Sequence, residues 1–388
     1  MKGINPQILL WAREQTGLAI EEVASHFKKD PEFIENWEKG LSSPSFPQLE
    51  KLAKKYKRPT ALFFFPEVPQ EESLEGSFRT LPEQEIRYIE PHLRFLIRKA
   101  RAMQINLSEL NNGSNPSNRF LLHNFNVENK QLDVVARELR DYFGIDLNTQ
   151  QQYGNPETAF KEWRLVVEKH GVFVFKDAFK DGRFSGFCLY DDVFPVIYIN
   201  NSLPHPRQIF TLFHELAHLL FKTSYIEAPL RGSEFLNRLS EYDKKIEVFC
   251  NAFAGEFLVP DDDFIRHLDA EVDDRNLQRF AEQYSVSREV ILRKFLDNSI
   301  IDSEFYNKKV RQWNEVWAAP KQRNKTKKSG GNPNFTKRAY LGESYMEMAF
   351  SQYYKNNISI EQLADYLDVK VGRIPKMESL IFEERSRS

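Results

Sequence analysis

His214-Glu215-Leu216-Ala217-His218 sets two imidazoles four residues apart with a carboxylate between them. On an α-helix that spacing turns both rings to one side, where they can share a Zn²⁺ ion. Glu215 follows the first ring by about 100° around the axis, within reach of a proton on a water that such a metal would bind. The chemistry this permits is metal-assisted hydrolysis. A helical wheel over 207–222, at about 100° per residue, gathers Arg207, Gln208, Thr211, His214, Glu215, His218 and Lys222 into a narrow polar strip, and the rest is apolar. A surface helix whose strip meets water is one reading. A helix embedded on both flanks, with its strip facing a cleft, accounts better for so wide an apolar face.

Two histidines do not hold a catalytic zinc alone, because such sites use three protein ligands and leave a fourth position for water. Segment 244–260 reads as a helix ended by Pro260, and it offers two carboxylates. On its wheel Glu256 lies opposite Glu247 and beside Lys245, which marks Glu256 as solvent-exposed. Glu247 shares a largely apolar face with Cys250, Asn251, Ala254 and Leu258, where an unpaired carboxylate is costly. A metal meets that need, and so would a buried arginine. Asn251, one turn on, is placed to hydrogen-bond a ligating Glu247. Cys250 as a fourth ligand would close the site, whereas burial as a small core residue would leave it open.

These residues resemble the ImmA/IrrE family of metallopeptidases, whose core joins H-E-x-x-H to a later helix of the form E-x-x-A-N-x-F-A, followed by apolar residues and Pro. Here the second part is Glu247-Val-Phe-Cys-Asn-Ala-Phe-Ala254 with Leu258-Val-Pro260, and Cys250 stands where alanine is usual. The lead-in is similar as well: Gly171-Val-Phe-Val-Phe, Phe184-Ser-Gly-Phe-Cys, Ile197-Tyr-Ile-Asn200 and Arg207-Gln-Ile-Phe-Thr211. The resemblance implies that His214, His218 and Glu247 bind Zn²⁺ and that Glu215 is the general base of a zinc endopeptidase. It also implies a regulatory protease cleaving one protein, such as a repressor or a toxin–antitoxin-like partner. For oxyanion stabilisation His205, Tyr198 and Tyr225 are all candidates, and the sequence does not choose among them.

The elements that must position these groups are legible around them. Residues 171–200 supply three short strands by their β-branched and aromatic content. By resemblance to zinc peptidases the last of them, Phe194 to Asn200, is a sheet edge bordering the cleft, open to an added substrate strand, and Pro195 is compatible with an edge. An interior strand is the competing reading. Residues 146–318 form the peptidase domain, with a zincin-like core. Upstream, 67–145 is a helical connector. Downstream, 319–335 is a flexible basic linker containing Lys321-Gln-Arg-Asn-Lys-Thr-Lys-Lys328, and 336–388 a small helical domain.

Residues 1–66 carry five short helices, at 6–15, 20–27, 31–39, 46–56 and 59–64, broken at Gly17, Asp30-Pro31 and 40–44. They resemble the XRE, or Cro/lambda-repressor, type of helix-turn-helix, with Phe33 to Gly40 in the recognition helix that enters the major groove. Lys28, Lys29, Asn36 and Lys39 are the candidate contacts to double-stranded DNA. Asp30, Glu32, Glu35 and Glu38 oppose them by repelling phosphate. A module for dimerisation or partner docking is the alternative. Lys57 to Pro66, followed by Phe78-Arg79, also resembles members that fuse this module to the peptidase.

The whole chain has 388 residues and a net charge of −2, which argues against a wholesale electrostatic nucleic-acid binder. With only Cys188 and Cys250 it carries no disulfide framework, and a reducing interior fits. No apolar run approaches a membrane span and the start lacks a signal-peptide core, so a cytoplasmic protein without membrane contact is expected. The expected class is α+β, mostly α-helical. The expected function is a regulatory zinc endopeptidase with a helix-turn-helix, compatible with a homodimer. The alternative is a helix-turn-helix transcriptional regulator or antitoxin whose metal domain senses or docks a partner without cleaving it.

Overall fold

A computed structural model of the protein describes residues 3–71, 74–78, 89–127, 129–226, 239–318 and 332–385. Arg79, the first part of the connector's helical pattern (82–88) and the basic run 321–328 lie outside the described residues. The fold is α+β and mostly helical, as the sequence leads one to expect. The chain divides into two compact units, Met1–Ala102 and Met103–Ser388, and the division falls within the 67–145 stretch.

The first unit holds α1 (Pro6–Thr16), α2 (Ile20–Phe27), α3 (Pro31–Glu38), α4 (Phe46–Tyr56) and a 3₁₀ turn at Thr60–Phe64. Local chemistry sets these boundaries. Asn5 accepts a hydrogen bond from the Gln7 N–H ahead of Pro6. Gly17, at φ 74°, ends α1 in the left-handed conformation that a side chain would disfavour. Gln48 returns a hydrogen bond to the Ser45 N–H at the start of α4. Ile8, Leu9, Val23, Ile34, Trp37, Leu49, Leu52 and Phe63 form the core of the unit.

The second unit is built around one mixed sheet. Strands β1 (Phe173–Asp177), β2 (Gly186–Leu189), β3 (Val196–Asn200) and β4 (Tyr225–Ile226) are ordered β1-β3-β2-β4. β1 runs parallel to β3, and β2 is antiparallel to both β3 and β4. This corrects the expectation for Phe194 to Asn200. Strand β3 is interior, paired on both sides and buried at every position, so its ladder groups are already used. Pro195 precedes the strand and costs the ladder no donor.

After helices α5 (Pro91–Leu110) and α6 (Leu132–Phe143), helix α7 (Pro156–Lys169), opened by Asn155 accepting from the Glu157 and Thr158 N–H groups, and helix α8 (His205–Leu220) pack on each other and on this sheet. Helix α9 (Glu241–Leu258) lies against α8. Ser240 caps α9 by accepting from the Asp243 N–H. Between strand and helix, Gly186 is required by space: a Cβ there would sit 2.5 Å from Thr211 Cγ2 and 2.8 Å from the Tyr198 carbonyl oxygen. Helices Asp274–Tyr284 and Arg288–Asp297 extend the same core. The carboxyl-terminal helices include Pro333–Leu341, which packs on β1.

Candidate metal centre

Helix α8 carries the H-E-x-x-H segment with one flank on the sheet and the other on α7 and α9. The polar strip does not lie open to solvent. Gln208, Thr211, His214, Glu215 and His218 are all at most 2% exposed. Helix α9 presents Glu247 from the opposite side. One ligand atom from each of His214, His218 and Glu247 falls within a common 4.8 Å sphere of mutual distance, and all three residues are buried.

The individual separations are informative. The Nε2 atoms of His214 and His218 are 3.2 Å apart. Glu247 Oε2 is 3.2 Å from His218 Nε2 and 3.7 Å from His214 Nε2. Two donors on a tetrahedral zinc at about 2.0–2.1 Å stand roughly 3.3 Å from each other. The triad therefore has the spacing of three corners of such a tetrahedron. Two imidazole nitrogens facing each other at this distance with a carboxylate beside them form a donor set that suits a zinc-type cation.

Electrostatics agree with that fit. Burial, opposed by the hydrogen bond to Glu247, holds the His218 imidazole below its ordinary value, which favours the neutral ring a metal requires. Burial opposes ionisation of Glu247, but His214 and His218 outweigh it and hold the carboxylate down at about 2. Asn251 Nδ2 donates to Glu247 Oε1 at 2.7 Å, leaving Oε2 toward the histidines. Tyr225 stacks on His218, with ring centroids 3.7 Å apart and planes 7° from parallel.

Glu215 is different in kind. It is fully buried, and among the described residues the Cys188 thiol is the side chain that hydrogen-bonds it. Burial pushes its pKa well above the ordinary carboxylate range; the neighbouring Cys188 thiol pulls the other way and Glu247 adds to the rise. A buried group with high proton affinity beside a cation-binding triad is placed to exchange protons there.

The remaining sequence candidates separate cleanly. Of the three oxyanion candidates only Tyr225 comes to the triad, where its ring meets both imidazoles and its hydroxyl faces Glu247. Tyr198 stacks on Phe187 on the other side of the sheet's pleat and contacts Phe175. His205 sits beside Phe160 at the start of α8. Cys250 is a free, fully buried thiol and stands outside the metal-binding trio. Glu256, expected to be exposed, is only 7% exposed: its Oε2 accepts from Lys294 Nζ at 2.6 Å, and its Oε1 from the Asp261 N–H at 3.0 Å. The wheel of α9 alone omits Lys294, which arrives from a later helix.

Sequence reasoning missed Cys188 as a neighbour of Glu215. It enters through the β2–β4 register, where Cys188 pairs with Tyr225, and a two-residue strand leaves no periodic signal. In the first unit Lys28 and Lys29 are exposed, and Lys39 is tied to Glu35 at 2.6 Å. Asn36 is partly buried on α3. Arg13 engages Glu38 with two hydrogen bonds, at 2.7 and 2.9 Å, so two of the acidic groups on α3 already have cationic partners.

Comparison with known families gives two matches. Residues 167–296 match the peptidase family described as the IrrE N-terminal-like domain. Residues 9–63 match the helix-turn-helix family. The chain thus joins a helix-turn-helix domain to a domain of a metallopeptidase family. No curated protein matches it. Among the described residues no helix is long and apolar enough to cross a membrane.

Proposed function

We propose that the protein is a regulatory zinc-dependent endopeptidase that cleaves one specific protein of the repressor or antitoxin-like class. The observation that carries this reading is the convergence of His214, His218 and Glu247 beside Glu215, a fully buried carboxylate. Zinc bound by the triad would supply Lewis acidity toward a peptide carbonyl and acidify a nucleophilic water.

The chain's own residues account for the rest of the chemistry. Glu215 takes up the proton released as the nucleophile forms and returns it to the leaving amine. Asn251 fixes the orientation of Glu247. Tyr225, stacked on His218 with its hydroxyl beside Glu247, donates to the oxyanion that develops on the carbonyl. The helix-turn-helix directs the protein to double-stranded DNA, with Lys28, Lys29, Asn36 and Lys39 as its contacts.

The test compares the wild type with Glu215→Gln. Elemental mass spectrometry should find about one zinc per chain in both. Mapping of new protein amino termini in cells expressing each form should reveal a cut in one host protein with the wild type only. Identical sets of termini from the two forms, with zinc present in both, would reject cleavage and leave a metal-bearing DNA-binding regulator.

A further inference from the structure

The second unit holds another cleft, with a lining distinct from the metal-binding triad. Its cavity is about 680 Å³, within the range of sites that enclose small organic ligands. Helix α7, the first turn of α8, β1 and helix Pro333–Leu341 form its walls.

Lys176 from β1 lines this cleft, and it is only 5% exposed. Its Nζ lies 4.4 Å from the centroid of the Phe160 ring and has no hydrogen bond or ion pair among the described residues. The other cations of the lining are engaged. Arg164 pairs with Glu168 at 2.9 Å, and Glu343 takes both Lys161 at 3.3 Å and Arg338 at 2.6 Å. A buried ammonium needs a counter-ion or acceptors. Burial, reinforced by nearby Arg164 and opposed by the lining carboxylate of Glu157, holds the Lys176 amine down at about 7.

Around the amine the surface is apolar, with Phe160, Leu165, Leu203 and Phe335 in the lining. Gln208 adds polarity at the opposite wall, where its Nε2 donates to the Leu203 carbonyl and its Oε1 has no partner among the described residues. A buried cation with no direct ion pair, set against the Phe160 ring, is complementary to an anion with an apolar body, and less so to a small hydrated anion.

We propose that this cleft binds a small organic monocarboxylate, with its carboxylate on Lys176 and its apolar body against Phe160, Leu203 and Phe335. The occupant rests on His205 and Gln208, in the first turn of the helix that carries His214 and His218 farther along.

Calorimetric titration of the full-length protein at neutral pH with benzoate, benzamide and inorganic phosphate tests this. Benzoate should bind saturably at one site per chain, and the neutral amide at least tenfold more weakly. Lys176→Met should weaken benzoate at least tenfold while zinc content and melting temperature stay at wild-type values. Lys176→Gln gives an independent reading should the methionine variant fail to fold. Absence of benzoate binding, equal affinity for benzamide, unchanged affinity in both variants, or phosphate binding more tightly than benzoate would each overturn the assignment. The zinc-dependent reading stands or falls separately, on metal content and cleavage.

Discussion

Helix α9 buries two glutamates to the same 7% exposure, and they meet opposite environments. Toward its carboxyl-terminal end Glu256 faces Lys294, a fixed positive charge, and a backbone N–H, so its lone pairs and its charge are both matched. Toward the other end Glu247 faces two imidazoles and one amide. Imidazoles in the neutral form that a metal requires carry no charge to balance a carboxylate, and that charge is what a divalent cation would supply. Burial alone therefore does not distinguish a structural carboxylate from a functional one. The chemistry of the partners does.

The largest expected effect tests that contrast directly. Glu247→Ala should take zinc from about one per chain to nearly none by elemental mass spectrometry, whereas Glu256→Ala should leave metal content intact. Retained zinc in the first variant would erase the distinction. The second variant should instead cost about 3 kcal/mol in urea unfolding, toward the low end for a broken buried pair, because Asp261 still reaches Lys294 at 2.9 Å. A smaller effect sharpens the Glu247 end: Asn251→Ala should weaken zinc about tenfold in a chelator competition, with little change in unfolding. Unaltered affinity would show that the amide does not orient the ligand. The smallest concerns Cys250, one turn from Glu247. Cys250→Ala should keep the full zinc complement, since the thiol is a packing group, and should lower stability by about 1 kcal/mol.

Much of this could be read from the sequence because the signals are local. Prolines at 6 and 31 and glycine at 17 punctuate the first unit, and the helices begin and end within a residue or two of those marks. The three strands of 171–200 declare themselves by composition. The i, i+4 histidines need only helical geometry to meet. The failures have a different origin. Placing Glu256 inside requires knowing that Lys294 returns to it from a helix 38 positions away. Resemblance points to an edge for strand β3, and its second neighbour, β1, lies some twenty residues upstream and pairs in parallel, a contact that no alternation pattern records. Tyr225 could not be chosen over His205 and Tyr198 until strand β4 brought it over His218.

Gly186 bears on how Glu215 is held. Beyond the Cys188 thiol the carboxylate has little polar support, yet its Cγ lies 3.7 Å from where a side chain at position 186 would begin, so β2 flanks it closely. Its rotamers are limited by walls, and the conformational entropy of fixing this carboxylate is surrendered once, when the chain folds. Confinement of this sort orients a group while leaving oxygen lone pairs open, which a full set of hydrogen bonds from the protein would not do.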